Sequence, residues 1–412
     1  MGLYYNVISF YDSVSLLFMS LFSFFFRNDK KHENRFLNYF TKFNNDKNFF
    51  CTSSARSGLY IILKSLRLKK NDEVIVCGFT CSAVIQPILL NNLKPIYSDI
   101  VQESFVQSID SIKNKITSKT KVIIVQHTFG SSGPIEEVLK LKQDHNVFII
   151  EDCALSLGNK IGNKYHGTFG DAAIWSFELS KTISVGWGGA VRINNNKLFK
   201  KAFILSESKG FLPSIEISRV FFQSGVSGIL YNNRLPRILK AVIFYFFYKF
   251  NIFKTSNESK PNKLYKLGDF QWYILLNQLK KLDKIFKNKD YNTNLIINNL
   301  LKRNIKIKFK KDIKLIRFPL LVKDPKKFIK FMNLKRFEIG TWFSQPISDS
   351  INLPKYYEYN GECDVSEFVC KHIINIPILS SLNNKFYLNL FEYFDEYLEL
   401  NPDENLFINN NN

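Results

Sequence analysis

One acid, one serine and one lysine have the types and the spacing to hold a charged aromatic cofactor. Asp152 ends an apolar run that predicts a buried strand, and Ser176 stands five residues before Lys181. A lysine amine can hold an aldehyde as an imine, and a carboxylate beside a ring nitrogen favours its protonated form. A glycine cluster at 186–189 then supplies a turn. The stretch 151–189 is therefore the predicted centre of a site.

A second group of residues could bind a phosphate. The segment 52–58, which includes Arg56 and Ser57, precedes an apolar pattern at helical spacing. Small hydroxyl-bearing residues at a helix start provide N-caps and present backbone N–H groups to an anion. When the segment is taken alone, a plain capped helix is the better explanation. Together with the acid and the lysine, it matches the phosphate, ring nitrogen and aldehyde of pyridoxal 5'-phosphate.

The elements that must position these residues alternate between strand and helix without hairpin signals, which predicts crossover connections and a parallel sheet. Such a sheet binds ligands at the carboxyl ends of its strands, where residues 79–82, His127 and Asp152 are predicted to lie. The predicted strands cover 73–77, 95–99, 121–126, 147–151, 172–177 and 190–193, and the predicted helices cover 83–90, 112–116 and 135–144.

The remainder of the chain indicates a second, smaller lobe of mixed helices and strands. The predicted helices cover 269–301, 325–334 and 382–400, and the predicted strands cover 305–310, 315–322 and 374–377. Residues 27–50 predict a helix and a loop. The expected division is an N-terminal helical or apolar segment at 1–50, a large cofactor-binding domain at 51–205, an insertion at 206–262, a small C-terminal domain at 263–405 and a disordered tail at 406–412.

Two apolar segments are candidates for contact with a membrane. Residues 14–26 are nearly all apolar but too few to span a bilayer comfortably, so they predict either a packed helix or an interfacial helix. Residues 234–254 combine aromatic and basic side chains, a pattern typical of a helix at a membrane interface. An insertion packed on its own domain or on a partner subunit is an equally good interpretation of the second segment.

The composition limits the class of partner and the compartment. The net charge of +21 could indicate nucleic acid, but the lysines are spread among many asparagines and no nucleic-acid motif is present. Such a surface favours anionic partners, including phosphorylated substrates and acidic lipids. The 6 cysteines form no CxxC pair, which argues against a metal site and favours reduced thiols. With no signal-peptide pattern, we expect a cytoplasmic protein.

Taken in order, these motifs resemble the DegT/DnrJ/EryC1/StrS family of sugar aminotransferases, which have the aspartate-aminotransferase (type I) fold. Single motifs are weak, but their order and spacing are specific, and the resemblance runs from about residue 53 to 400 without the 206–262 insertion. The segments that carry it are 54–59, 72–76, 79–80, 127–130, 151–154, 169–173, 176–181, 186–189 and 268–271.

The resemblance implies a mostly parallel seven-stranded sheet between helices, with a smaller C-terminal α+β domain. It also implies a pyridoxal-phosphate-dependent aminotransferase, which passes an amino group, for example from glutamate, to a keto sugar on a nucleotide for surface polysaccharide. A homodimer with shared active sites is expected. Lys181 would bind the cofactor aldehyde and move the proton, and Asp152 would bind the ring nitrogen. Ser176, Arg56 and Ser57 would hold the phosphate.

The chain departs from the family pattern at several positions. Cys81, which the resemblance places among the cofactor-binding residues, stands where an aromatic residue usually stacks on the cofactor ring. Either Phe79 or another residue must stack instead, or the stacking is lost. Leu155 replaces a usual Gln or His, for which Ser156 could substitute. The two positions at which a partner subunit often supplies Asn and Arg are Leu264 and Lys266.

A catalytically degenerate, membrane-associated family member that serves as a scaffold is the alternative reading. The presence of both Lys181 and Asp152 favours an enzyme. In the dehydratase branch of the family a histidine replaces the lysine, so Lys181 also argues against that branch.

Overall fold

A computed structural model of the chain describes residues 14, 17–18, 31–207, 210–211, 214–232, 237–253, 265–305, 313–348, 357–379 and 382–401. The predictions for Leu264 and 406–412 lie outside these residues, and those for 14–26 and 305–310 lie largely outside them. The strands are β1 Phe49–Thr52, β2 Glu73–Cys77, β3 Lys94–Ser98, β4 Thr120–Gln126, β5 Phe148–Asp152, β6 Lys160–Ile161, β7 Lys164–Tyr165, β8 Ala172–Ser176, β9 Gly189–Ile193, β10 Arg317–Leu321 and β11 Ile373–Pro377.

The helices follow the same chain order. They are α1 Lys31–Asn44, α2 Ala55–Leu66, α3 Ser82–Leu90, α4 Ile109–Lys115, α5 Ile135–Asp144, α6 Asn196–Glu207, α7 Ser214–Asn232, α8 Arg237–Lys249, α9 Asp269–Lys280, α10 Leu282–Leu301, α11 Pro325–Leu334, α12 Asp364–His372 and α13 Asn384–Leu400. Among the described residues, no helix is both long and apolar enough to cross a bilayer.

Seven strands form the central sheet in the order β1-β9-β8-β5-β4-β2-β3. The pairs from β8 to β3 are parallel, and β9 runs antiparallel to both β8 and β1. The prediction of a mostly parallel seven-stranded sheet is therefore confirmed. The prediction that the loop extends to residue 50 is wrong, because the edge strand β1 already begins at Phe49. A four-residue strand is too short for its alternation to show in the sequence.

Both faces of the sheet are covered, because successive side chains of a strand point to opposite faces. Ile174 and Val191 pack with α2 on one face, and a side chain at Gly58 would meet Val191 at 2.5 Å, so this helix lies close to the sheet. Trp175 faces the other way and meets the Phe40 ring of α1 edge-on, with centroids 5.3 Å apart. The sheet is therefore the buried central layer of this part of the chain.

The second lobe is built around the antiparallel pair β10–β11. Its core includes Phe328 of α11 and Phe394 of α13, and it continues to Phe129 after β4. The Ile316 N–H donates to the Phe129 carbonyl at 3.1 Å, so the start of β10 is fixed beside the carboxyl ends of the large sheet. The proposed domain boundaries remain predictions.

Candidate active site

The start of α2 forms a cluster of hydroxyl groups. Ser54 is the N-cap, and its Oγ accepts from the Ser57 N–H at 3.1 Å and lies 2.9 Å from the Ser57 Oγ. The Ser53 hydroxyl donates to the same Ser57 oxygen at 3.4 Å. Hydroxyls and N–H groups at the positive end of a helix bind anions. Arg56, in the first turn of the helix, is buried in the same place.

Gly189 brings this helix start next to the strand that ends at Ser176. In the sheet register Gly189 pairs with Ser176 on one side and with Thr52 on the other. A side chain at Gly189 would lie 2.5 Å from the Ala55 nitrogen and 2.6 Å from the Ser54 carbonyl carbon. Glycine is therefore required here, because only a residue without Cβ lets β9 and the helix start approach. The predicted phosphate-binding residues are thus brought to one corner of the sheet.

Asp152 lies at the carboxyl end of β5, as predicted, and is buried. Its Oδ1 accepts from the Ala154 N–H at 3.0 Å, which fixes the carboxylate. Burial raises the pKa of Asp152 above its ordinary value, and the Ala154 hydrogen bond and the charges of Lys181 and His127 lower it in part. The carboxylate therefore lies within electrostatic reach of the lysine.

Lys181 is only 9% exposed. Burial lowers its pKa below the ordinary value, and the charge of Arg317 lowers it further. The charges of Glu178, Cys81 and Asp152 act in the opposite direction and raise it in part. A lowered pKa increases the fraction of neutral amine, which is the form that can attack an aldehyde or accept a proton. The geometry therefore places a buried amine and a buried carboxylate at the ligand-binding edge.

Trp342 supplies an aromatic face that the sequence analysis did not identify. The Lys181 Nζ lies 5.0 Å from the Trp342 ring centroid, and the Arg317 guanidinium carbon lies 3.9 Å from the same centroid. The backbone N–H of Trp342 donates to the Asn375 Oδ1 at 2.6 Å. No motif surrounds Trp342 in the sequence, so its proximity to Lys181 is seen only in the folded structure.

Of the residues named where the chain departs from the family pattern, Cys81 lies near Lys181, whereas Phe79 and Leu155 lie in the hydrophobic core. Cys81 caps α3 and lies within electrostatic reach of Lys181, and its backbone forms an isolated parallel β-bridge with Ser348. Phe79 is fully buried between other rings, with the Phe343 centroid 5.0 Å away, and belongs with Leu155 to the core shared with the second lobe. Trp342, rather than Phe79, is therefore the ring that faces the lysine.

Lys266, which stands where the family often has an arginine, forms an ion pair with a residue of its own chain. Its Nζ pairs with the Glu207 carboxylate at 2.8 Å.

His127 and Glu151 form a fully buried pair next to the site, with 3.0 Å between His127 Nε2 and the carboxylate. Glu151 also accepts from the N–H groups of Gly167, Phe169 and Gly170 at 2.7–2.8 Å. Although these two residues and Cys153 have ligand atoms within 4.8 Å of one another, the Glu151 oxygens already accept four hydrogen bonds. We therefore assign Glu151 to holding the loop before β8.

The arrangement fits pyridoxal phosphate on three counts. A buried amine is available to the aldehyde, a buried carboxylate at the strand end is available to a ring nitrogen, and serine hydroxyls at a helix start are available to a phosphate. Gly189 keeps that helix start within reach of the sheet.

The fold and this site define the class of pyridoxal-phosphate-dependent transferases of the type I fold. The profile of the DegT/DnrJ/EryC1/StrS aminotransferase family matches residues 19–389, so the chain belongs to that family. Among curated relatives, it is 33% identical to the GDP-perosamine synthase of Escherichia coli O157:H7 over 208 residues, which are 50% of this chain and 55% of the relative. The chain thus spans about half the length of the curated relatives it matches.

Solved structures show the same fold at low sequence identity. An aminotransferase from Psychrobacter cryohalolentis has a TM-score of 0.73 at 17% identity, covering 94% of this chain and 96% of that chain. NtdA from Bacillus subtilis, solved with bound cofactor PMP, has a TM-score of 0.73 at 19% identity, covering 94% of this chain and 82% of that chain.

Proposed function

We propose that this protein is a pyridoxal-phosphate-dependent aminotransferase that passes an amino group from glutamate to a nucleotide-linked keto sugar for surface polysaccharide. Membership of the family and the similarity to a GDP-perosamine synthase support the activity and the class of substrate. The observation that carries the proposal is Lys181, a buried amine with a lowered pKa within electrostatic reach of the Asp152 carboxylate.

Each residue of the site has a definite role in this reaction. The cofactor, when bound, supplies a conjugated ring that takes up electrons. The neutral Lys181 amine accepts a proton at Nζ and returns it, and the Asp152 carboxylate holds the ring nitrogen protonated. Ser54 and Ser57 orient the phosphate with the N–H groups of α2, while Ser176 and Arg56 complete the same corner. Trp342 covers the amine and limits the access of water.

Cofactor uptake tests this proposal directly. The purified protein mixed with pyridoxal phosphate should turn yellow, and borohydride should fix the cofactor to the chain. Lys181→Ala should abolish the fixed adduct, whereas Lys160→Ala, at an exposed lysine, should leave it unchanged. A colourless wild-type protein that takes up no cofactor would refute the enzyme and favour the scaffold alternative.

A second experiment identifies the substrate. Glutamate should bleach the yellow colour of the loaded protein, and keto sugars on different nucleotides should restore it at different rates. Failure of every keto sugar tested, with bleaching by glutamate intact, would remove the sugar from the proposal and leave the aminotransferase.

We also propose a homodimer, on the basis of family membership. Light scattering during size-exclusion chromatography should give twice the chain mass of 48.2 kDa. A monomer at micromolar concentration that is fully active would contradict this proposal.

The pair α7–α8 supports a third proposal, a peripheral contact with an anionic membrane on the cytoplasmic side. Its inner face is packed, since the Phe253 ring lies 4.6 Å from Phe247 and 6.2 Å from Phe222. Its outer face is aromatic and exposed, with Tyr245 at 60% and Phe250 at 64%. Lys240 is not among the exposed basic side chains of this segment, because it is buried with its Nζ 3.8 Å from the Glu338 carboxylate. The net charge of +21 supplies the attraction.

Liposome flotation tests this contact. Wild-type protein should float with vesicles that contain anionic lipid, and the triple change of Tyr245, Phe246 and Phe250 to Ser should keep it in solution. Leu334→Ser, which alters an exposed leucine elsewhere, is the control. Wild-type protein that stays in solution at low salt would exclude the membrane contact.

A further inference from the structure

Lys289 of α10 is a buried lysine that the proposed reaction does not use. It is 1% exposed. Its acidic neighbour Asp290 pairs with Lys314 at 2.7 Å, and no carboxylate of the described residues forms an ion pair with Lys289. A buried lysine that forms no ion pair costs folding free energy, because burial disfavours its charged form, so its retention calls for an explanation.

This lysine belongs to a cationic cluster that reaches the candidate active site. The charge of Arg317 lowers the pKa of both Lys289 and Lys181, so the guanidinium lies in electrostatic range of both amines. Arg317 stacks on Trp342, whose ring also faces Lys181. Lys181 and Arg317 therefore lie on one aromatic side chain of the second lobe, and Lys289 lies within electrostatic range of Arg317.

A neighbouring amide adds an independent observation. Asn375, on β11 beside β10, is fully buried, and its Oδ1 accepts from the backbone N–H of Trp342. Its Nδ2 has no hydrogen-bond partner among the described residues. A buried donor without an acceptor is costly, and an oxygen of a bound ligand would satisfy it.

We propose that Lys289, Arg317 and the Asn375 amide form a subsite for an oxyanion of the substrate. The proposal rests on the proposed function for the identity of the substrate, which offers two such groups, a carboxylate of the amino donor and the diphosphate of the nucleotide. Either one would neutralise the cluster and accept the buried donor hydrogens. The subsite would thus link substrate binding to the ring that covers Lys181.

Calorimetry with simple anions tests the subsite without any turnover. Glutarate stands in for the donor carboxylates and inorganic pyrophosphate for the nucleotide, each titrated into cofactor-loaded protein at pH 8. Burial, followed by the charge of Arg317, lowers the pKa of Lys289 to about 7, so this amine is mostly neutral at pH 8. An anion beside it raises that pKa, and binding should therefore take up close to one proton. Comparison of Tris and HEPES buffers measures this uptake.

Lys289→Met should weaken the binding of whichever anion occupies the subsite by about 10- to 100-fold, and it should remove the proton uptake. Lys287→Met, at an exposed lysine on the same helix, should change neither. Tight glutarate binding would assign the subsite to the amino donor, and tight pyrophosphate binding would assign it to the nucleotide. The proposal is overturned if neither anion distinguishes the wild type from Lys289→Met.

The outcome is separable from that of the proposed function. If the protein takes up no cofactor, the proposed function fails, but the same titration of the unloaded chain still reports on the subsite. If the protein is yellow and each anion binds the Lys289→Met variant as tightly as the wild type, only the subsite proposal fails.

Discussion

The Nζ atom of Lys181 lies 5.0 Å from the centroid of the Trp342 ring. The two residues come from different lobes, so this contact couples the position of the second lobe to the environment of the amine. The negative face of an indole ring attracts an ammonium group by about 0.5–2 kcal/mol. The ring therefore opposes the effect of burial on the pKa of Lys181.

Replacement of Trp342 tests this coupling. Trp342→Leu keeps an apolar side chain beside the amine but removes the cation–π contact, so it should lower kcat/KM by about tenfold. It should also move the acidic limb of the pH profile to lower pH, because the protonated amine loses its partner. Trp342→Phe retains a ring and should give intermediate values. An unchanged pH profile in the Leu variant would show that the contact has no electrostatic role.

Gly189→Ala tests the close approach of β9 to the start of α2. The added Cβ would lie 2.5–2.6 Å from backbone atoms of Ala55 and Ser54, and no side-chain rotation can relieve a clash with the backbone. We expect a loss of about 1–3 kcal/mol in unfolding free energy and a marked fall in affinity for pyridoxal phosphate. Gly210→Ala, where no atom lies within 4 Å of the added carbon, is the matched control. Equal cofactor affinity in both variants would contradict the prediction.

Asp152→Asn separates stability from function. Because the folded protein raises the pKa of Asp152, ionisation of this group costs stability as the pH rises through its folded pKa. The cofactor-free Asn variant should therefore unfold at a higher temperature than the wild type at pH 7, and the difference should vanish below about pH 3.9. Cofactor affinity should fall in the same variant. A cofactor-free variant less stable than the wild type at pH 7 would refute the argument.

Lys289→Met gives the opposite pH dependence in the ligand-free protein. The pKa of Lys289 is lowered to about 7 on folding, so the unfolded chain binds more protons between that value and the ordinary value of about 10.4. Wild-type stability should rise with pH over this window. The Met variant should be more stable by about 1–4 kcal/mol at pH 7, and the gap should close towards pH 10. A constant gap across this range would show that the lysine is not buried as a cation.

The sequence was sufficient for the parts of the protein that depend on local pattern. The central strands appear in the sequence as continuous apolar runs. Asp152 stands at the carboxyl end of β5, where such a run predicted it. Trp342, Arg317 and Lys289 were missed, because their proximity depends on packing between segments far apart in the chain. The edge strand β1 was missed, because four residues give no measurable alternation.

The adjacent acids of β5 place an unusual limit on how this chain can change. Glu151 faces the interior and holds the N–H groups of Gly167, Phe169 and Gly170, whereas Asp152 faces the ligand edge. Side chains alternate along a strand, so a shift of β5 by one residue would exchange the two carboxylates. One insertion or deletion within β5 would thus break the loop and the site together, and natural relatives should vary in length on either side of this strand but not within it.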